Sequence, residues 1–212
     1  MNPVVARVMS TLADQLGNPH GALGKGVALV LNRTNRQLTE AAVDATELEP
    51  GRAAADIGFG GGVGLSLLLA RVGAEGTVHG IEPSPDMAAR AKARFAPDIG
   101  AGRLRILAGT LTDLPLADAS IDALITVNTL YFVPALTPVA PELARVLRPG
   151  GRAVIAVADP TDAARMPFTR YGFHLRAPEE IAAVLAGAGL TVDHRALAHK
   201  PIKAHLLIAR KD

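Results

Sequence analysis

A run of closely spaced glycines stands between an apolar stretch and a helix-like stretch of the chain. Residues 56–64 read DIGFGGGVG. The apolar residues 53–59 predict a short buried strand, and residues 64–72 predict a helix. Glycines at such a junction let the backbone turn tightly and approach a ligand without a Cβ clash. The segment therefore predicts an open α/β sheet with a ligand crevice at the carboxyl ends of its strands.

Strands and helices alternate beyond this turn. Further strands are predicted over 77–83, 103–109, 121–128 and 152–159, and helices over 85–95, 138–147 and 178–188. Ser84 is the predicted N-cap of the helix that starts with Pro85. Alternating segments at 190–198 and 203–211 predict a late antiparallel pair. We predict a doubly wound, mainly parallel, seven-stranded Rossmann-like sheet with a C-terminal antiparallel strand pair and an N-terminal helical cap.

The N-terminal part of the chain precedes this alternation. Residues 1–17, 24–35 and 37–48 have helical spacing of apolar side chains, and Thr39 is expected to start the last of these helices. The length of 212 residues suits one α/β domain. We expect a single domain over 1–212, with a helical cap over 1–48 and a cofactor-binding core over 49–212.

Composition excludes several classes of protein. Hydrophobic residues make up 49% and charged residues 20%, unlike a disordered chain. Cysteine is absent, which excludes disulfides and thiol catalysis, and no His, Asp and Glu set has metal-ligand spacing, so no metal is expected. A net charge of +2 and 3% aromatic residues argue against a nucleic-acid partner. Without a signal peptide or a long apolar stretch, we expect a cytoplasmic protein with no membrane contact.

The glycine spacing discriminates between ligands. A dinucleotide fingerprint needs G-x-G-x-x-G, and the registers that start at Gly58, Gly60 and Gly62 have an apolar residue in the sixth position. The observed pattern is D-x-G-x-G-x-G, formed by Asp56, Gly58, Gly60 and Gly62. A carboxylate at the strand tip repels a pyrophosphate and attracts an ammonium group. The pattern therefore favours a ligand with an amino-acid end.

A second acid follows the next predicted strand. Glu82 lies 20 residues beyond Gly62, where a carboxylate is well placed to hydrogen-bond ribose hydroxyls. Proteins that bind nicotinamide dinucleotides share this feature. A nicotinamide-dependent oxidoreductase is therefore the alternative reading from another enzyme class.

Residues 45–210 resemble the class I S-adenosylmethionine-dependent methyltransferases, in the broad group that includes the ubiquinone and menaquinone C-methyltransferases. The resemblance rests on AADIGFGGGVG, VHGIEPSPDM, LTDLPLADASIDALITVNTLYFV and LARVLRPGGRAVIAV. It implies S-adenosylmethionine as cofactor and a small-molecule methyl acceptor as partner, of quinone-like, phenolic or amine type. A homodimer stays open.

The resemblance also assigns roles to residues. Asp56 and the glycine turn would hold the methionine part of the cofactor, and Glu82 its ribose. The remaining cofactor contacts implied by the family are Ser84, Met87, Thr110, Leu111 and Asn128. Thr110 stands where the family has an Asp that binds adenine. This departure leaves open a non-methylating, cofactor-binding member of the fold.

Methyl transfer from a sulfonium is an in-line displacement with a neutral leaving group, so alignment of the reactants is the main task. A general base helps only where the acceptor carries a proton. The candidates for this role are Tyr131, His20, Tyr171 and His174. His194, His199 and His205 are expected to lie away from the site.

Overall fold

The computed structural model describes residues 35–198 and 202–212. Its strands are β1 (Ala53–Ile57), β2 (Thr77–Ile81), β3 (Leu104–Leu107), β4 (Ile121–Val127), β5 (Leu147–Ala158), β6 (Leu190–Leu197) and β7 (Ala204–Lys211). They form one seven-stranded sheet in the order β3-β2-β1-β4-β5-β7-β6. The first five strands run parallel, and β7 pairs antiparallel with both β5 and β6. The predicted fold class is confirmed.

Helices connect the parallel strands. They are α1 (35–45), α2 (Val63–Val72), α3 (Pro85–Arg94), α4 (Ala96–Gly100), α5 (Val139–Val146), α6 (Pro160–Ala163) and α7 (Pro178–Gly187), with 3-10 turns at Leu130–Phe132 and Pro167–Arg170. The Ser84 hydroxyl accepts a hydrogen bond from the Met87 N–H and caps α3 as predicted. Within 35–198 and 202–212, no helix is long and apolar enough to cross a membrane.

Both faces of the sheet are covered by apolar side chains. Leu143 of α5 and Ile181 of α7 pack on one face, in a cluster that includes Ile155. Leu38 of α1 and Leu65 of α2 belong to the cluster on the other face. Ala, Val and Ile predominate in the parallel strands, as a sheet buried on both sides requires.

The start of the chain differs in part from the prediction. Residues 35–45 form one continuous helix, and the Thr39 hydroxyl donates a hydrogen bond to the Asn35 carbonyl oxygen at 2.8 Å. Thr39 is therefore inside the helix, and its predicted role as the helix start is wrong. Residues 1–34 of the predicted cap lie outside the described residues.

Strand β5 begins five residues earlier than predicted. Leu147 pairs with Ile121 directly after α5, and the register then shifts before Arg152 pairs with Ala123. The Pro-Gly-Gly segment at 149–151, with Gly150 at φ 77, lies in this irregularity. The gap between the predicted helix 138–147 and the predicted strand 152–159 therefore lies inside an irregular strand.

Strand order reverses at β1, which has β2 on one side and β4 on the other. Ligands bind at such a switch point in open α/β sheets, beyond the carboxyl ends of the strands. The glycine turn after β1 and Glu82 after β2 both lie at this edge.

Candidate functional site

The turn from β1 to α2 depends on glycine for two different reasons. Gly58, Gly60 and Gly62 have φ angles of 72°, 49° and 75°, which other residues rarely adopt. A Cβ at Gly58 would lie 2.5 Å from the Thr129 side chain, and one at Gly62 would lie 3.0 Å from the Phe95 ring. A Cβ at Gly60 would meet nothing within 4 Å. The turn is therefore packed at both ends and open at its centre.

Gly64 belongs to the same site, although the sequence reasoning did not assign it a role. Its backbone φ is not in the left-handed region, but a Cβ there would collide with a carboxylate oxygen of Asp56. Asp56 is 4% exposed, and the Leu65 N–H hydrogen-bonds to it. The signal was present in the sequence, because Gly64 continues the two-residue spacing of the other glycines.

Glu82 connects the end of β2 to the glycine turn. One carboxylate oxygen accepts a hydrogen bond from the Gly60 N–H at 3.0 Å, and the other accepts one from the Ser84 N–H at 3.0 Å. The side chain is 5% exposed. Each carboxylate oxygen can accept further hydrogen bonds, so Glu82 can also bind ligand hydroxyls.

Burial shapes the electrostatics of the two acids. Desolvation raises the pKa of Asp56 to about 8, and the nearby Glu82 charge acts in the same direction. Desolvation also raises the pKa of Glu82, against the opposing effect of the Ser84 and Gly60 N–H groups. A ligand ammonium group would favour the ionised form of Asp56. The pair is suited to a ligand that brings both a cation and hydroxyls.

The residues implied for the adenine part of a cofactor lie on two elements. Ser84 and Met87, at the start of α3, are both buried. Thr110 lies in the loop after β3, where its backbone pairs with Asp113 and its exposed hydroxyl is 3.0 Å from the Thr112 hydroxyl. Leu111 is buried. The loop therefore presents hydroxyls where the family has a carboxylate.

Two residues of α5 hold the continuation of this loop. The Glu142 carboxylate accepts a hydrogen bond from the Leu114 N–H at 2.9 Å. The Arg145 guanidinium donates to the carbonyl oxygens of Leu114 at 3.0 Å and Leu116 at 2.8 Å. The hydrogen bond from Arg145 lowers the pKa of Glu142, which keeps this pair ionised. The sequence reasoning missed both residues.

Asn128 and Tyr131 follow β4 and are linked to each other. Asn128 has φ 56°, and its side-chain oxygen accepts a hydrogen bond from the Tyr131 hydroxyl at 2.9 Å. The same hydroxyl accepts a hydrogen bond from the Ala158 N–H at the end of β5. Burial raises the pKa of Tyr131 above its ordinary value. This geometry favours a role for Tyr131 in positioning Asn128 over a role as base.

The segment 171–176 packs against the 130–134 segment. The His174 N–H donates to the Tyr131 carbonyl oxygen at 2.8 Å, while the His174 side chain is exposed. The Phe173 ring stacks on the Tyr131 ring with 5.7 Å between centroids. The buried Tyr171 hydroxyl has no hydrogen-bond partner among the described residues. The structure thus brings three of the four predicted base candidates into one region, and His20 lies outside the described residues.

Arg176 links the segments 171–176 and 130–134 by hydrogen bonds. Its guanidinium donates to the carbonyl oxygens of Leu130 at 3.1 Å, Val133 at 2.7 Å and Pro134 at 2.9 Å. The side chain is 10% exposed. No motif in the sequence pointed to this residue.

His205 lies at the carboxyl edge of the sheet, on the outer strand pair β7 and β6, and contacts His194 there. A ring nitrogen of His205 is 3.0 Å from an Asp159 carboxylate oxygen, and the other is 3.0 Å from His194. Asp159 directly follows Ala158, the partner of the Tyr131 hydroxyl. Antiparallel pairing of β7 with β5 therefore returns His205 to the carboxyl edge. His199 lies outside the described residues, within which no group of three or more His, Cys, Asp or Glu residues is arranged to hold a metal.

Residues 55–155 match the family described as a methyltransferase domain. Together with the crevice at the switch point, the glycine turn and the two buried acids, this match supports assignment to the class I S-adenosylmethionine-dependent methyltransferases. These findings support the predicted class and the predicted cofactor, and they do not favour the nicotinamide alternative. The narrower ubiquinone and menaquinone group stays a prediction.

The chain is similar to individual methyltransferases. It is 29% identical to an arsenite methyltransferase of Halobacterium salinarum over 78% of this chain and 40% of the relative. It is 33% identical to a demethylmenaquinone methyltransferase of Desulfitobacterium hafniense over 63% of this chain and 52% of the relative. The chain thus spans about half or less of the length of these relatives. A solved S-adenosylmethionine-dependent methyltransferase of Aquifex aeolicus shares the fold, with a TM-score of 0.72, 20% identity and coverage of 96% and 98% of the two chains.

Proposed function

We propose that this protein transfers the methyl group of S-adenosylmethionine to a small-molecule acceptor. The observation that carries the proposal is the pair of buried carboxylates at the glycine turn, with Glu82 bonded to the Gly60 N–H and Asp56 packed against Gly64. Glu82 accepts a hydrogen bond from the Gly60 N–H at the centre of the turn. Asp56 instead accepts one from the Leu65 N–H, beyond the glycines. Such a pair matches a ligand that has an ammonium group at one end and ribose hydroxyls further along.

The chain's own residues have distinct parts in this proposal. Asp56 would bind the ammonium group, and Glu82 would bind the ribose hydroxyls while it keeps the turn in place. The loop at Thr110 and Leu111 would border the adenine. When bound, S-adenosylmethionine supplies an electrophilic methyl group on a positively charged sulfur. Orientation of the acceptor toward that methyl group is the catalytic contribution expected of the protein.

The proposed acceptor side consists of Tyr131 and the segment 171–176, and Asn128, the proposed contact to the methionine end of the cofactor, borders it through its hydrogen bond with Tyr131. The Tyr131 hydroxyl is used in two hydrogen bonds, so it fixes Asn128 and does not take a proton. Tyr171 and His174 stay proposed as acceptor contacts. This arrangement suits an acceptor that needs no strong base, such as a stabilised carbanion or a free lone pair. The similarity to a demethylmenaquinone methyltransferase supports a quinone-like acceptor within that class.

Calorimetric titration with S-adenosylhomocysteine tests the proposal, with NAD(H) and NADP(H) titrated in parallel. We expect micromolar binding of S-adenosylhomocysteine alone, and a loss of about 100-fold or more in Glu82→Ala, because charged hydrogen bonds are lost. The exposed acid Glu75 gives the matched control, Glu75→Ala, which should bind like the wild type. Binding of a nicotinamide dinucleotide instead would overturn the proposal. Cofactor binding without methyl transfer to a panel of quinones, phenols and amines would favour a non-methylating member.

A further inference from the structure

Arg94, the last residue of α3, touches the glycine turn from outside. Its guanidinium donates hydrogen bonds to the Gly61 carbonyl oxygen at 3.0 Å and to the Ser66 hydroxyl at 3.3 Å. The same group lies over the Phe95 ring, 4.9 Å from its centroid. Phe95 in turn packs against Gly62. The end of α3 therefore contacts two successive residues of the turn.

The turn is a part of the chain that needs such contacts. Glycine loses more conformational freedom on ordering than any other residue, and four of the residues 58–62 are glycine. The Gly60 N–H is bound by Glu82 and the Gly62 N–H by the Phe59 carbonyl oxygen at 2.8 Å. Arg94 adds a side-chain bond to the Gly61 carbonyl between these two points. Its hydrogen bonds limit the conformations open to the turn before a ligand arrives.

We propose that Arg94 is a positioning residue that holds the glycine turn in its cofactor-binding conformation. This inference rests on the proposed function, in which the glycine turn binds S-adenosylmethionine. When only a fraction of the molecules hold the binding loop in its competent conformation, the apparent affinity for the ligand is reduced by that fraction. Arg94 raises that fraction without contacting the cofactor.

The chemistry of the side chain explains why arginine suits this place. The planar guanidinium can donate to Gly61 and Ser66 at once and still stack on the Phe95 ring. A lysine ammonium is a point charge that cannot reproduce the two-pronged, stacked arrangement. Lysine should therefore restore part of the effect.

The experiment compares Arg94→Ala, Arg94→Lys and wild type by calorimetric titration with S-adenosylhomocysteine. Loss of charge-assisted hydrogen bonds to the turn predicts an affinity about five- to tenfold lower in Arg94→Ala, with Arg94→Lys between the two. Stopped-flow binding should place most of the loss in the association rate. Hydrogen exchange should rise across residues 58–66 of the ligand-free variant and return to the wild-type level at saturation.

Lys92, an exposed residue of the same helix, supplies the matched control Lys92→Ala. An affinity of Arg94→Ala equal to that of this control would overturn the inference and leave the proposed function standing. Unchanged hydrogen exchange across 58–66 would overturn it equally. Wild-type protein that does not bind S-adenosylhomocysteine would instead overturn the proposed function itself.

Discussion

The two sides of the crevice are built by contacts of different sequence range. On the cofactor side, which comprises the glycine turn, Glu82 and Ser84, the Glu82 carboxylate reaches N–H groups 22 and 2 residues away. On the proposed acceptor side, Tyr131 reaches Ala158 across 27 residues. Arg176 there reaches carbonyl groups 42 to 46 residues away. The Glu82 hydrogen bonds thus span shorter stretches of sequence than those of Tyr131 and Arg176 on the proposed acceptor side, although Arg94 also reaches Gly61 across 33 residues.

Under the proposed function, the cofactor side binds S-adenosylmethionine and the acceptor side selects the methyl acceptor. The cofactor side is built from backbone N–H groups of the glycine turn and from two carboxylates, Asp56 and Glu82. The acceptor side depends on aromatic packing around Phe173 and on one buried guanidinium. Changes on that side should alter stability and acceptor choice while cofactor binding persists. Four substitutions test this separation.

Asp56 offers the largest expected effect, through the pH dependence of stability. The pKa of Asp56 is about 8 in the folded protein, whereas its ordinary value is 3.8. Between these values the folded state holds a proton that the unfolded state has lost. Stability should therefore fall as pH rises through this window, by about 1.4 kcal/mol per pH unit. Denaturant titrations of wild type and Asp56→Asn across pH 4.5–8 measure it as the difference between the two slopes.

Asp56→Asn should match the wild type in stability near pH 4.5 and should be the more stable of the two proteins near pH 8. In the wild type, S-adenosylhomocysteine binding at pH 7 should release a proton, since the ligand ammonium needs the ionised carboxylate. Titrations in buffers of different ionisation enthalpy detect this release. Equal slopes for the two proteins would show that Asp56 has an ordinary pKa in the folded protein. The cofactor side would then have no raised pKa at this acid to set it apart from the acceptor side.

Gly64 tests how closely the cofactor side is packed. A Cβ in Gly64→Ala would collide with the Asp56 carboxylate, and overpacking of this kind costs about 1–3 kcal/mol. We expect a lower melting temperature and weak S-adenosylhomocysteine binding together. Gly187, the last residue of α7, has nothing within 4 Å of its would-be Cβ, so Gly187→Ala is the control. A Gly64→Ala protein with wild-type stability and affinity would contradict the packing argument.

The sequence predicted the fold class and located the glycine turn because their signals are local. Strand and helix periods predicted a mainly parallel seven-stranded sheet, and D-x-G-x-G-x-G followed by Glu82 marked the turn. The early start of β5 was missed because a register shift against β4 creates it. Arg145 and Arg176 were missed because each binds carbonyl groups more than 25 residues away, which no short motif encodes. Both failures have the same cause, a dependence on tertiary contacts.

Arg176 tests the acceptor side by a different pair of readouts. Arg176→Ala leaves three carbonyl oxygens of 130–134 without their charged donor, which should cost about 2 kcal/mol of stability. Affinity for S-adenosylhomocysteine should stay within about twofold of wild type, because distant, independent sites do not couple. Arg165, whose side chain is 75% exposed, provides the control Arg165→Ala. Loss of cofactor affinity in Arg176→Ala would show that the acceptor side and the cofactor side are not independent.

Tyr131 gives the smallest expected effect and bears on the role of its hydroxyl. Tyr131→Phe keeps the ring against Phe173 and removes the hydroxyl that joins Asn128 to the Ala158 N–H. The expected loss of stability is about 1 kcal/mol, since one neutral hydrogen-bonding group is removed. Once an acceptor is found, a positioning role predicts a lower kcat with an unchanged shape of the pH–rate profile. A profile that loses an ionisation in Tyr131→Phe would instead identify the phenol as the base, and would mean that ligand binding loosens both of its hydrogen bonds.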